Sequence, residues 1–242
     1  MGNYQPLIEL SGVSFAYPDG GPVLTDVDFT FLDGDRIGLL APNGSGKTTF
    51  FHLIMGLLKP RQGTIRIFGK PVQREKDFVA VRRQIGLLFQ DSDDQLFCPT
   101  VLEDVAFGPL NMGKSRQEAS RIARDIILSM GLAGYEDRVT YKLSGGEKRL
   151  VAMAAVLAMG PRVLLLDEPL TGLDGKTRRL IENFLLACGL PYIIISHDVD
   201  FLMTTTDALY TLEAGRLYPD THIHLHRHEH AHLLGNHPHK HN

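Results

Sequence analysis

Cysteine is scarce in this chain: only Cys98 and Cys188 occur among 242 residues, and they have neither metal-ligand nor redox spacing. Long apolar runs are missing too. The most continuous, residues 163–166 and 192–195, fall far short of the 20 or so residues a helix needs to cross a bilayer. The first ten residues, MGNYQPLIEL, lack the basic start and apolar core of a signal peptide. Together these absences lead us to expect a cytoplasmic protein that spans no membrane. A basic excess is also lacking: the formal charge is −3, so nucleic acid is not an expected partner. No internal repeat is visible. What is present is ordinary for a folded soluble chain, with 43% hydrophobic and 22% charged residues, and the length suits one α/β domain with room for a small subdomain.

Residues 36–40, 163–166 and 192–195 are almost uninterruptedly apolar, as parallel strands buried on both faces are, and residues 84–89 resemble them. Each run stops at a polar or glycine-rich segment: APNGSGKT, the pair Asp167-Glu168, Ser196-His197, and Gln90. Ligands of open parallel sheets lie beyond the carboxyl ends of the strands, so these four segments are expected to converge on one site. The early segment, LIELSGVSFAYP and DVDFTFLDGD, alternates like antiparallel strands. From about Thr100 to Met159 the periodicity is helical, clearest over 118–128 and 148–159, the second closed by Gly160 and Pro161.

Ala41-Pro42-Asn43-Gly44-Ser45-Gly46-Lys47-Thr48 follows a strand and opens a helix expected over 49–58, the context a phosphate-binding P-loop requires. Backbone amides and the helix N-terminus would cradle phosphates, Lys47 would balance their charge, and the Thr48 hydroxyl would reach Mg²⁺. The first glycine of the pattern is Ala41 here, and its methyl group would perturb the turn if that position needed a positive φ. Residues 163–168 put two carboxylates at the end of a buried strand: Asp167 to hold Mg²⁺ and Glu168 to accept a proton from attacking water. The plainer reading is a capping pair before Pro169. Ser144-Gly145-Gly146-Glu147 has capping-box form. A cap does not need two glycines, however, and a serine hydroxyl with glycine amides at a helix start is also an anion site.

In this order the motifs resemble the ATP-binding-cassette ATPase family from Leu7 to Leu217. The resemblance implies an α/β fold of the P-loop NTPase, RecA-like kind: a parallel-sheet core, an antiparallel β-subdomain and an inserted α-helical subdomain. It also implies that Tyr17 stacks on adenine, that the P-loop through Thr49 binds ATP, and that Gln90 is the Q-loop residue beside the Mg²⁺ held by Thr48 and Asp167. Leu143 to Glu147 would be the signature, residues 171–174 the D-loop, and His197 the switch histidine acting with Glu168, Lys47 and Gln90 in catalysis. ATP with Mg²⁺ is the implied ligand. Two identical or homologous chains are implied to pair head to tail, the signature of each closing over the ATP of the other.

Within that family, residues 89–109 and the variant LSGGEKR are similar to energy-coupling-factor importer ATPases, especially those for cobalt and nickel; vitamin importers share the same stretch. This implies an integral membrane coupling component (T), a substrate-binding membrane component (S), and a place on the cytoplasmic face of the membrane. Asp91, Asp93 and Asp94 would line the groove receiving the membrane partner, the alternative being a solvated acidic turn. A soluble non-transport ATPase usually shows coiled-coil insertions or a second cassette, which are not seen here. The expected organisation is a cassette domain over residues 1–218, its helical subdomain over about 95–160, and a tail over 219–242. That tail holds nine of the 11 histidines. His222, His224, His226, His228, His230 and His232 alternate along it and are candidate Ni²⁺ or Co²⁺ ligands, as in a storage protein or an ion buffer; a purification tag or incidental binding is the plainer reading.

Overall fold

The computed structural model describes residues 5–42 and 44–220. Asn43 and the histidines of residues 222–232 lie outside the described residues.

The alternating N-terminal segment forms β1 (Ile8–Ala16) and β2 (Pro22–Phe31), paired antiparallel, with Ile8 opposite Phe31 and Val13 opposite Val27. On its other edge β1 pairs antiparallel with β4 (Gln62–Ile67), which pairs with the short β5 (Lys70–Pro71), giving the sheet order β2-β1-β4-β5. The second sheet holds the apolar runs as β3 (Arg36–Leu40), β6 (Ile85–Leu88), β7 (Val163–Asp167) and β8 (Tyr192–Ser196). With β9 (Ala208–Glu213) and β10 (Arg216–Pro219) the order is β10-β9-β3-β8-β7-β6, parallel except for the antiparallel β10 edge.

Strand periodicity divides the core. Val163, Leu165, Ile193 and Ile195 pack toward α1 (Lys47–Ile54) and the small sheet. Leu164, Leu166, Tyr192 and Ile194, on the opposite face, meet the helices that follow. These eight side chains are fully buried, which is why β7 and β8 read as continuous rather than alternating apolar sequence.

Between β6 and β7 the chain inserts α3 (Val101–Asn111), α4 (Arg116–Ser129), a 3₁₀ turn (Thr140–Lys142) and α5 (Gly145–Ala158). All three helices begin with a complete capping box, at Thr100 with Glu103, Ser115 with Glu118, and Ser144 with Glu147. α2 (Glu75–Arg82), α6 (Gly175–Ala187) and α7 (Val199–Thr205) complete the fold.

The helix expected over 49–58 starts two residues earlier and ends sooner. Gly56, at φ 67°, closes it: its N–H reaches the Leu53 carbonyl, and that of Leu57 reaches the His52 carbonyl. This is the paired bonding of a Schellman motif. Leu58 still packs on the core, so the apolar pattern outlasts the helix.

Candidate functional site

The loop from β3 to α1 turns through two left-handed glycines, Gly44 at φ 79° and Gly46 at φ 100°, the latter immediately before the first residue of α1. A Cβ at Gly46 would stand 2.9 Å from Val23 Cγ1, so both its backbone and its packing call for glycine. Ala41 is not among the residues of positive φ, and it is buried at 2% exposure. The expected perturbation by its methyl group therefore does not arise: an L-residue fits this first position without strain. Its carbonyl accepts a hydrogen bond from Lys47 Nζ at 3.1 Å, which folds the lysine back over the loop. Pro42 supplies the carbonyl that Ser45 N–H reaches at 3.3 Å. The first turn of α1 carries no acidic residue, leaving its positive end open to an anion.

The parallel register brings the ends of β7 and β8 beside this loop. Thr48 Oγ1 donates to Asp167 Oδ2 at 2.9 Å, and Lys47 Nζ lies 3.4 Å from Glu168 Oε1. His197, just past β8, sets Nδ1 3.0 Å from Glu168 Oε2. Thr171 Oγ1 donates to the same carboxylate oxygen at 3.2 Å. Glu168 is thus gripped from three sides while 4% exposed, and its φ of 48° puts a non-glycine residue in the left-handed region. Strain of that kind persists only where the surroundings over-determine it, and it concentrates at functional sites.

Asp167 is buried, and burial pushes its carboxyl above the usual range, with the Glu168 charge adding to this; the Thr48 hydrogen bond and Lys47 oppose it. Three buried side-chain polar atoms among the described residues lack a hydrogen-bond partner, and two belong to this site: Asp167 Oδ1 and Ser45 Oγ. A buried oxygen without a partner is costly. Asp167 Oδ1 beside the Thr48 hydroxyl is a hard-oxygen pair suited to Mg²⁺, which takes few protein ligands and relies on phosphate oxygens for others. The donor set therefore fits the cation.

A cavity of about 820 Å³ opens over these groups, lined by Thr48, Gln90, Asp167, Gly145, Lys148 and Arg149 among others. Gln90 thus faces the same space as the two candidate Mg²⁺ ligands. His52 also lines it, its imidazole held below the usual range by burial against the opposing pull of Asp167. Tyr17 stands at the other side of the loop, 43% exposed, with its hydroxyl 3.2 Å from Thr49 Oγ1. An aromatic face so exposed beside a phosphate loop is available for stacking.

Ser144 both accepts the Glu147 N–H and donates to Glu147 Oε2, so within this chain its hydroxyl serves the cap. Glu147 Oε1 accepts further bonds from Tyr135 Oη at 2.6 Å and Arg138 at 3.2 Å; the Tyr135 bond first, then those from the Ser144 N–H and hydroxyl, hold its carboxyl below the usual range. The amides of Gly145 and Gly146 lie in the first turn, where no intrahelical acceptor exists. Of the acidic trio, Asp93 is paired with Lys148 Nζ at 2.5 Å and Asp91 Oδ1 accepts the Asp93 N–H. All three line the cavity. Sequence reasoning did not single out Arg149 or Lys148. Their signal was faint: two cations directly after a capping box read as the solvated face of a helix, whereas Arg149 is 4% exposed.

A family model described as ABC transporter matches residues 24–171. The chain is 42% identical over 215 residues to the energy-coupling factor transporter ATP-binding protein EcfA of Methanothermobacter thermautotrophicus, covering 87% of this chain and 69% of that protein. Among solved structures it resembles CbiO1 of Clostridium perfringens, part of the ABC transporter complex CbiONQ, with TM-score 0.79, 34% identity, and coverage of 88% of this chain and 86% of that one. It also resembles an ATP-binding cassette in a dimeric post-hydrolysis state bound to ADP and phosphate, with TM-score 0.77, 26% identity, and coverage of 87% and 96%.

Proposed function

The chain belongs to the ABC transporter family, as an ATP-hydrolysing subunit of the energy-coupling-factor kind that uses ATP with Mg²⁺, and from that premise we propose that it energises the uptake of cobalt or nickel ions. It would do so at the cytoplasmic face of the membrane, docked on an integral coupling component and a substrate-binding component. The observation that carries the catalytic part is the convergence of Thr48, Asp167, Lys47, Glu168 and His197 within hydrogen-bonding distances at the strand ends. The ion specificity is supported by the 89–109 stretch and by the likeness to CbiO1.

In this reading ATP enters with its adenine on Tyr17 and its phosphates along residues 41–49. Thr48, Asp167 and Gln90 would hold Mg²⁺, which when bound would offset phosphate charge. Lys47 balances the γ-phosphate. Glu168 accepts the proton of the water that attacks phosphorus, and His197 holds that carboxylate in place. The site of one chain is completed by Ser144, Gly145, Gly146 and Glu147 of a second, whose free glycine amides meet the γ-phosphate across a head-to-tail dimer.

Glu168→Gln removes the proton acceptor but keeps the phosphate loop and Asp167. Steady-state turnover is expected to fall to background while MgATP binding persists and ATP-dependent dimers accumulate in size-exclusion chromatography; retention of most of the wild-type rate would sink the assignment. Vesicles carrying the assembled complex should take up radiolabelled Co²⁺ or Ni²⁺ with the wild-type chain and not with this variant. ATP-dependent uptake of a vitamin, without either ion, would move the substrate to the other importer class.

A further inference from the structure

Residues 89–95, the loop that carries Gln90, are held by one helix. Gln95 accepts the Phe89 N–H at 3.2 Å and donates through Nε2 to the Ala152 carbonyl of α5 at 3.4 Å. Lys148, also on α5, reaches Asp93. Between these contacts lies Arg149. Its Nη1 donates to the Phe89 carbonyl at 2.5 Å, and its Nη2 donates to the Gln90 carbonyl.

Those two carbonyls belong to the peptide planes on either side of the Gln90 Cα. A guanidinium is a rigid planar fork, so bonding both planes at once restricts the two backbone torsions of Gln90 and the direction in which its side chain leaves the chain. Arg149 is one of five charged side chains buried among the described residues, with Lys47, Asp104, Asp167 and Glu168. Hiding a guanidinium from water is unfavourable unless its donors are used. Here they are used on main-chain carbonyls, where a side chain free to reach solvent would gain little by being. Burial holds its guanidinium below the usual range, against the nearby charges of Asp91, Asp167 and Glu168, which favour the cation.

We propose that Arg149 is the positioning residue for Gln90. It clamps the two peptide planes around Gln90 so that the amide side chain points into the cavity shared with Thr48 and Asp167. Because Arg149 sits on α5 directly after the Ser144–Glu147 cap, it also ties the placement of Gln90 to that of the signature segment. The proposal rests on the assignment of Gln90 to the Mg²⁺ site.

The test is a double-mutant cycle on ATP hydrolysis by the full-length chain, recording kcat, KM for MgATP, and the Mg²⁺ concentration giving half-maximal rate. Gln90→Ala is expected to lower kcat and raise the Mg²⁺ requirement. Arg149→Met should do the same by about tenfold or more, since small misplacements of a catalytic group carry penalties of that order. KM for MgATP should change by less than about twofold, as for an interaction that acts mainly on the chemical step. Arg149→Lys should recover part of the loss, and it carries the test if the methionine variant does not fold. The double variant should be no slower than the slower single one, because both changes remove the same function.

Effects that multiply, or an Arg149→Met enzyme with the wild-type rate and Mg²⁺ requirement beside an impaired Gln90→Ala, would overturn the proposal while leaving the Gln90 assignment intact. So would a loss of folded protein with an unchanged Mg²⁺ requirement, which marks a merely structural arginine. A fully active Gln90→Ala enzyme would instead overturn the Gln90 assignment, and the proposal with it.

Discussion

At the scale of single residues, the site depends on which backbone positions tolerate a Cβ. Ala41 has an ordinary φ and is buried, so alanine narrows the unfolded ensemble at no cost to the native loop. Ala41→Gly is expected to lose about 0.4–1 kcal/mol of stability in urea titrations. ATP affinity should be unchanged; tighter binding by the glycine variant would show that the methyl does disturb the phosphates. Glu168 is the opposite case. Its left-handed φ of 48° was not readable from sequence, because a DEP segment at a strand end says what the carboxylate can do and not how its backbone must bend. The same holds for Arg149, whose burial follows from loop 89–95 folding over α5.

At the scale of elements, local chemistry was highly legible where the signal is covalently close. The capping box read at Ser144 is a spacing of three residues and the structure forms it, together with two of the same spacing, at Thr100 and Ser115, that the sequence reading did not pick out. Ser144→Ala removes an acceptor for the Glu147 N–H and releases the glutamate from its serine partner. The expected loss is about 1 kcal/mol, seen as a lower urea midpoint with an unchanged m-value; no change would mean that the contacts of Glu147 with Tyr135 and Arg138 hold the helix start alone. The end of α1 was less legible, since its apolar pattern runs on through Leu57 and Leu58. A Cβ at Gly56 would fall 2.2 Å from the ring of Phe78, a contact across elements, so that stop is partly a packing decision.

At the scale of the molecule, α6 and α7 are joined by Arg178, which bonds Glu182 at 2.8 Å and Asp198 at 2.6 Å. The arginine, and the Phe201 N–H that Asp198 caps, hold the Asp198 carboxyl below the usual range. A depressed carboxylate contributes stability that is present above its unfolded pKa and lost as pH falls through its folded one. Asp198→Asn should therefore lower the denaturation midpoint near neutral pH, with the gap beginning to close only below about pH 4, the unfolded carboxylate range, and disappearing as pH falls through the depressed folded value. Both partners are partly solvated, so the gap should not exceed about 1 kcal/mol. A gap that does not narrow at all as pH falls below about 4 would assign the effect to the cap alone. The candidate tail ligands, His222 to His232, are tested by truncation after Tyr218. Basal ATPase activity should remain, and calorimetric Ni²⁺ binding near pH 7.5 should largely vanish and, in the full chain, weaken below about pH 6 as imidazole protonates. Undiminished stoichiometric binding by the truncated chain would place the metal elsewhere.

The sequence by itself determined the fold class, because strands buried on both faces must be apolar throughout and a phosphate loop must join a strand to a helix. It likewise marked residues 41–49, Gln90, Asp167, Glu168 and His197 as ends of such strands. Only the tertiary structure decided how those ends meet: strand order sets β8 between β3 and β7, which brings Thr48 to Asp167 and Lys47 to Glu168 across more than a hundred residues of chain. It also decided which cation after the capping box stays near the surface and which is buried against the Gln90 loop. That choice follows from how α5 packs on the sheet, and no local spacing encodes it.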